Sequence, residues 1–270
     1  MRLRLEIRSV SRRAVLCAAA IGSVSLTGCA LLTQGVARDP DALWLVVHDL
    51  CVPDQRRFGS PSPCIEVDPA AGYVILKAPS GPTHFLLVPT ARVTGIEDPA
   101  ILAPSAPNYW AQAWRARRHV ERRAGRALGR DEVSLAINSV AGRTQDQLHI
   151  HIDCIKPAVR AALQAHAAAV GPRWAPFPTP LAGELYLARR FDGPDLAGVN
   201  PFQLLAELPR ARAAMGAETL VVTGATGPDG RPGFVLLAGQ AIPGTRDKGS
   251  GEDLQDHRCA LAHRPERSGG

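Results

Sequence analysis

The chain has 270 residues, 46% of them hydrophobic and 21% charged, an ordinary globular composition with room for one large domain or two small ones. Its formal charge is +6, but the first 28 residues hold Arg2, Arg4, Arg8, Arg12 and Arg13 against Glu6 alone, so the remainder carries only +2. With so small a surplus, and no zinc-finger or aromatic RNA-binding signature, the pattern excludes nucleic acid as the expected partner.

The N-terminal leader is basic up to Arg13, uncharged from Ala14 to Val24, and then reads Leu26-Thr27-Gly28-Cys29. This resembles a bacterial lipobox, which implies a signal peptide over 1–28 and lipidation at Cys29. Ser11-Arg12-Arg13-Ala14-Val15-Leu16 also resembles a twin-arginine export signal lacking its usual aromatic residue. The competing reading keeps the uncharged run Ala14 to Ala37 as a single membrane-spanning anchor. Either way the domain is expected at the bacterial cell membrane, on its extracytoplasmic side. Residues 29–40 read as a linker, 41–263 as the catalytic domain and 264–270 as a polar, disordered tail.

Within the domain, Leu43, Val46, Val47 and Leu50 recur at helical spacing, predicting a helix from Ala42 to Cys51. Pro53 and Pro61-Ser62-Pro63 predict a loop. Tyr73–Lys77 and Phe85–Pro89 read as paired strands around Ser80-Gly81-Pro82. A helix follows from Asn108 to about Arg126. Trp110, Ala113, Trp114 and Val120 form its apolar stripe, and Arg115, Arg117, Arg118, Arg122, Arg123 and Arg126 a basic face. That face is either solvated or a contact for anionic lipid headgroups.

Val133 to Asn138 reads as a strand, and Gln147 to Ile152 alternates polar with apolar residues in the period of a half-buried strand. Leu148, Ile150 and Ile152 are expected to face the core, with Gln147, His149, His151 and Asp153 opposite. The intervening loop supplies backbone N–H groups, hydroxyls and Arg143, a plausible cradle for an anionic phosphate. Beyond it come a helix from Pro157 to about Val170, a loop at Arg173–Pro176 and a strand at Glu184–Arg190. A helix at Pro201–Ala214 and strands at Glu218–Thr223 and Phe234–Ala238 complete the second half, which repeats the strand and helix alternation without histidines.

Four cysteines remain after Cys17 and Cys29, and an even number in an exported chain suggests two disulfides with three possible connectivities. The expected pairs are Cys51–Cys64, closing the proline-rich loop, and Cys154–Cys259, pinning the C-terminal segment beside the histidine strand.

Asn138, Ala141-Gly142 and Gln147-x-His149-x-His151 resemble the signature of the histidine-triad superfamily. More narrowly the chain is similar to the bacterial CDP-diacylglycerol pyrophosphatase family. The likeness rests on Pro61–Cys64, Ala71–Lys77, Ser134–Ser139, Gly142–Gln145, His149–Cys154, Leu185–Arg190 and Gln255–Cys259, in order along most of the chain. It implies an α+β fold, a histidine-triad-like antiparallel sheet flanked by helices, with the second half packed in the same unit. It also implies hydrolysis of CDP-diacylglycerol at the membrane surface to CMP and phosphatidate, in phospholipid metabolism.

By the same resemblance His149 is the nucleophile, His151 holds phosphate oxygens, and Asn138, Arg143 and Thr144 contact phosphate or ribose. Lys77 and His84 lie on neighbouring strands within possible reach. Gln147 stands where the family usually has its first histidine; glutamine can orient a neighbour but cannot carry a proton. No cofactor and no metal are expected. The alternatives are a metal-dependent hydrolase, because His149-x-His151-x-Asp153 also resembles the start of a metallo-β-lactamase ligand set, and a non-catalytic exported lipoprotein that binds nucleotides or lipids.

Overall fold

The computed structural model describes residues 39–227 and 229–263, so the expected signal peptide, the expected lipidation at Cys29 and the expected tail lie outside the described residues. The strands are β1 (Glu66–Asp68), β2 (Tyr73–Lys77), β3 (Phe85–Pro89), β4 (Val133–Ile137), β5 (Ile150–Cys154), β6 (Ala175–Pro176), β7 (Leu187–Asp192), β8 (Glu218–Thr226) and β9 (Pro232–Gln240). They form one antiparallel sheet in the order β1-β2-β3-β5-β4-β8-β9-β7-β6. The fold is α+β, and the two halves of the chain share the sheet through β4 and β8, where Leu135 pairs with Val222.

The anticipated hairpins form. Tyr73 to Lys77 pair with Pro89 to Phe85, and Val133 to Ala136 with Cys154 to His151. Because side chains alternate across a strand, this register puts Ile150 and Ile152 on one face and His151 and Asp153 on the other. The first face packs against a helix, α3 (Tyr109–Ala124), through Trp110, Ala113, Trp114 and Val120. Asn108 caps that helix, its side chain accepting from Ala111 N–H at 3.1 Å. The basic face of α3 therefore points away from the opposite side of the sheet, where the histidines lie. Its exposed Arg118 pairs with Glu66 and its half-buried Arg117 lies over the Trp114 ring.

The second face is covered as well, which the alternating pattern did not foretell. On one flank lies a helical run of α1 (Ala42–Leu45), a π-helical turn (Val46–Cys51) and α2 (Val52–Phe58). It packs Leu43, Val47 and Cys51 on Val74, Leu86 and Val88. On the other flank α4 (Pro157–Ala165) and the segment 251–263 bring Val159, Leu254 and Leu261 against Ala136 and Val221. Gln147, His149, His151 and Asp153 are consequently all buried, and the strand is not half-open.

Several boundaries moved for identifiable reasons. The first helix runs on through Pro53, because the proline sits in the first turn of α2, where a missing N–H costs little. The helix expected over Pro201–Ala214 is divided into α5 (Pro201–Leu205) and α6 (Pro209–Ala213), with Pro209 opening the second. Cys51–Cys64 and Cys154–Cys259 are both bonded, with Cα separations of 5.6 and 5.2 Å. Among the described residues no helix is long and apolar enough to cross a membrane.

Candidate active site

His149 lies just before β5 and is 7% exposed. Its Nδ1 is 2.7 Å from the backbone carbonyl oxygen of Gln147. A carbonyl only accepts, so Nδ1 carries the proton and Nε2 presents a lone pair. Burial pushes the ring's pKa below its ordinary value, partly offset by that hydrogen bond, so the imidazole stays neutral. A narrow crevice borders it, lined also by Gly95, Ile96, Ile137, Asn138, Arg143, Gln147 and Leu148.

The Gln147 side chain does not enter this cavity's chemistry. It is fully buried, donates to Pro89 O at 3.1 Å and Ala91 O at 2.8 Å, and accepts from Val93 N–H at 3.3 Å. It ties the segment after β3 to the entrance of β5, while its backbone orients His149.

The other sequence-derived residues separate into two groups. Asn138 is central: its amide donates to Glu252 Oε2 at 3.3 Å and faces His151 Nε2 at 3.5 Å, and its carbonyl oxygen accepts from Glu252 N–H at 3.2 Å. Arg143 lines the cavity but is already paired, with Glu97 at 2.5 and 2.8 Å and with Asp146 at 3.0 Å. It braces the loop and is not a free cation awaiting phosphate. Thr144 is exposed, with no hydrogen bond from its hydroxyl among the described residues. Lys77 is held by Ala78 O and Gly81 O, both at 2.6 Å, which satisfies its ammonium away from His149.

His84 does reach the histidine strand. Its Nε2 lies 2.9 Å from His151 Nδ1, and its Nδ1 lies 2.9 Å from Ser80 Oγ. Burial first, then the neighbouring His257 charge, push His84 down to about 4. His151 is likewise driven well below its ordinary value by burial. With His84 and Glu252 at its Nδ1 and Asn138 at its Nε2, His151 is engaged within the protein and does not line the cavity.

Two further members, His257 and Glu252, complete the cluster, and the alternation through 147–152 gave no sign of them. His257 donates from Nδ1 to Asp153 Oδ2 at 2.7 Å and from Nε2 to Glu252 Oε1 at 3.0 Å, which raises its pKa to about 9. Burial alone would raise Glu252, but the His257 hydrogen bond and the surrounding imidazoles hold it far below the usual carboxylate range. Asp153 also accepts from Thr83 Oγ1 at 2.7 Å and from Cys154 N–H at 2.8 Å. Gly81 makes the close packing feasible: its φ is +64°, and a Cβ there would lie 2.4 Å from His257 O. The signal that could have found this pair was the Cys154–Cys259 bond, which carries the segment 251–259 to β5.

The buried His149 imidazole, oriented by a main-chain carbonyl, sits beside the Asn138 amide and a braced, glycine-bearing loop. Residues 38–263 match the family described as CDP-diacylglycerol pyrophosphatase. The chain belongs to the CDP-diacylglycerol pyrophosphatase family. It is 44% identical over 227 residues to the CDP-diacylglycerol pyrophosphatase of Yersinia pestis, which covers 83% of this chain and 86% of that relative. The family match begins and ends almost where the described residues do, so the sheet, both disulfides and the whole His84–His151–Glu252–His257 cluster fall inside the CDP-diacylglycerol pyrophosphatase region.

Proposed function

We propose that this chain hydrolyses the pyrophosphate bond of CDP-diacylglycerol to CMP and phosphatidate, with His149 as the nucleophile. The carrying observation is the 2.7 Å hydrogen bond from His149 Nδ1 to Gln147 O, which leaves Nε2 unprotonated at the cavity. Nε2 attacks the cytidylyl phosphorus. The bond to the bridging oxygen breaks, and phosphatidate leaves with that oxygen. Water then attacks the same phosphorus, the P–N bond breaks, and CMP departs. Dividing the displacement in two suits a neutral imidazole, a competent nucleophile at pH 7.

The crevice at His149 is narrow, so we place only the reacting phosphoryl group at its mouth and the rest of the nucleotide outside it. A polar cleft of about 250 Å³, open to solvent, adjoins the same loop at Gly142; Tyr186, Arg246, Lys248 and Ser250 line it together with the carboxylates of Glu184, Asp247 and Asp253, and we assign the rest of the nucleotide to it. We read the domain as histidine-triad-like, spanning 41–263 and tethered by Cys29 to the extracytoplasmic face of the bacterial membrane. Such a tether would hold the site where a diacylglycerol ester resides.

Purified protein is incubated with CDP-diacylglycerol and products are identified together with any phosphohistidine. The expected outcome is CMP, phosphatidate and a cytidylyl adduct at position 149. His149→Ala should lower turnover by at least about 10³-fold with the fold intact. Undiminished turnover in that variant would falsify the nucleophile assignment.

A further inference from the structure

Next to His149, three side chains from distant parts of the chain bring one donor atom each within 3.9 Å of one another. His84 Nε2 is 2.9 Å from His151 Nδ1. Glu252 Oε1 is 3.5 Å from His151 Nδ1 and 3.9 Å from His84 Nε2. A point equidistant from three atoms so spaced lies about 2.0 Å from each, the length of a zinc bond to imidazole or carboxylate. We propose that His84, His151 and Glu252 bind one divalent transition-metal cation of the zinc class.

The surroundings support two of the ligands in the way metal sites require. Ser80 Oγ engages the other nitrogen of His84 at 2.9 Å. The Asn138 amide donates to Glu252 Oε2 at 3.3 Å. His257 hydrogen-bonds Glu252 Oε1 and is itself anchored on Asp153. His257 is a support and not a ligand, because its Nδ1 donates to Asp153 and its Nε2 to Glu252, which leaves the ring no lone pair for an ion. His84 and His151 are buried, whereas the Glu252 side chain is 26% exposed and forms the way in from solvent.

Two histidines and one glutamate with a free fourth position is a donor set of hydrolytic zinc sites. An ion here would polarise a phosphoryl oxygen of a substrate held at His149. That role rests on the function proposed above, whereas binding of the ion does not. The set differs from the one suggested by His149-x-His151-x-Asp153: His149 faces the cavity, and Asp153 is occupied by Thr83 and His257.

Full-length protein is stripped with chelator, dialysed, and titrated with Zn²⁺ against a chromophoric competitor; Co²⁺ is added to a second sample for its visible spectrum. One equivalent of Zn²⁺ per chain and tetrahedral Co²⁺ bands are expected. His84→Gln and Glu252→Gln should each weaken Zn²⁺ binding about 100-fold or more, and His149→Ala should leave it within about threefold. Circular dichroism checks the fold of each variant, and either substitution alone decides if the other unfolds. Absence of stoichiometric Zn²⁺ and Co²⁺ binding overturns the site, as does binding that survives the substitutions. Turnover of His149→Ala, measured in parallel, tests the nucleophile separately.

Discussion

Cys259 is bonded to Cys154, the last residue of β5, across a sequence separation of 105. The bond draws the segment 251–259 along the histidine strand, where Gln255 bridges to Ile155 and donates to Ser134 O at 3.0 Å. Glu252 and His257 arrive at the site on this segment. Replacing both cysteines with serine should therefore cost about 2–4 kcal/mol in urea unfolding, the usual contribution of a bond closing a long loop. Turnover should fall further than the loss of Cys51–Cys64 would cause. Equal effects from the two disulfides would show that Cys154–Cys259 has no special bearing on the site.

Gln147 stands where the sequence resemblance places a histidine, yet its side chain acts as a buried strut. Truncation to alanine strands the carbonyls of Pro89 and Ala91 and the N–H of Val93. A loss of about 2–4 kcal/mol is expected, because each stranded buried group bears its full desolvation cost. Thermal unfolding checks this. A variant as stable as the parent would refute the strut.

Glu97 and Arg143 give a pH signature. Burial would raise the Glu97 pKa, but the Arg143 hydrogen bonds prevail and hold it below the usual carboxylate value. A folded-state pKa below the unfolded one stabilises the fold above the unfolded pKa of about 4.5, and that contribution fades as pH falls through the folded value. Urea stability measured from pH 6 down to pH 3 should fall more gently in Glu97→Gln than in the parent. Parallel curves would mean the pair contributes nothing. Loosening of the loop should also raise KM in the variant, as Arg143 loses its brace.

Much of the site was legible locally. The alternation through 147–152 determined which residues share a face, and pairing of the two hairpins is a short-range consequence of strand propensity and turn residues. The even cysteine count, with a leader that resembles an export signal, pointed to two disulfides. The helix over 201–214 misled because its apolar spacing continues across Pro209, whose effect depends on the neighbouring turns.

By itself, the amino-acid order determined the sheet's local strands, the family and the nucleophile's candidate position, since each depends on contiguous residues. Tertiary packing alone decided that the polar face of β5 is roofed over, that Arg143 is spoken for, and that His84, Glu252 and His257 meet His151 from 67 to 106 positions away in the chain. Those contacts arise where a nine-stranded sheet and a cross-linked C-terminal segment close on one another, and no periodicity in the sequence encodes a meeting between such distant side chains.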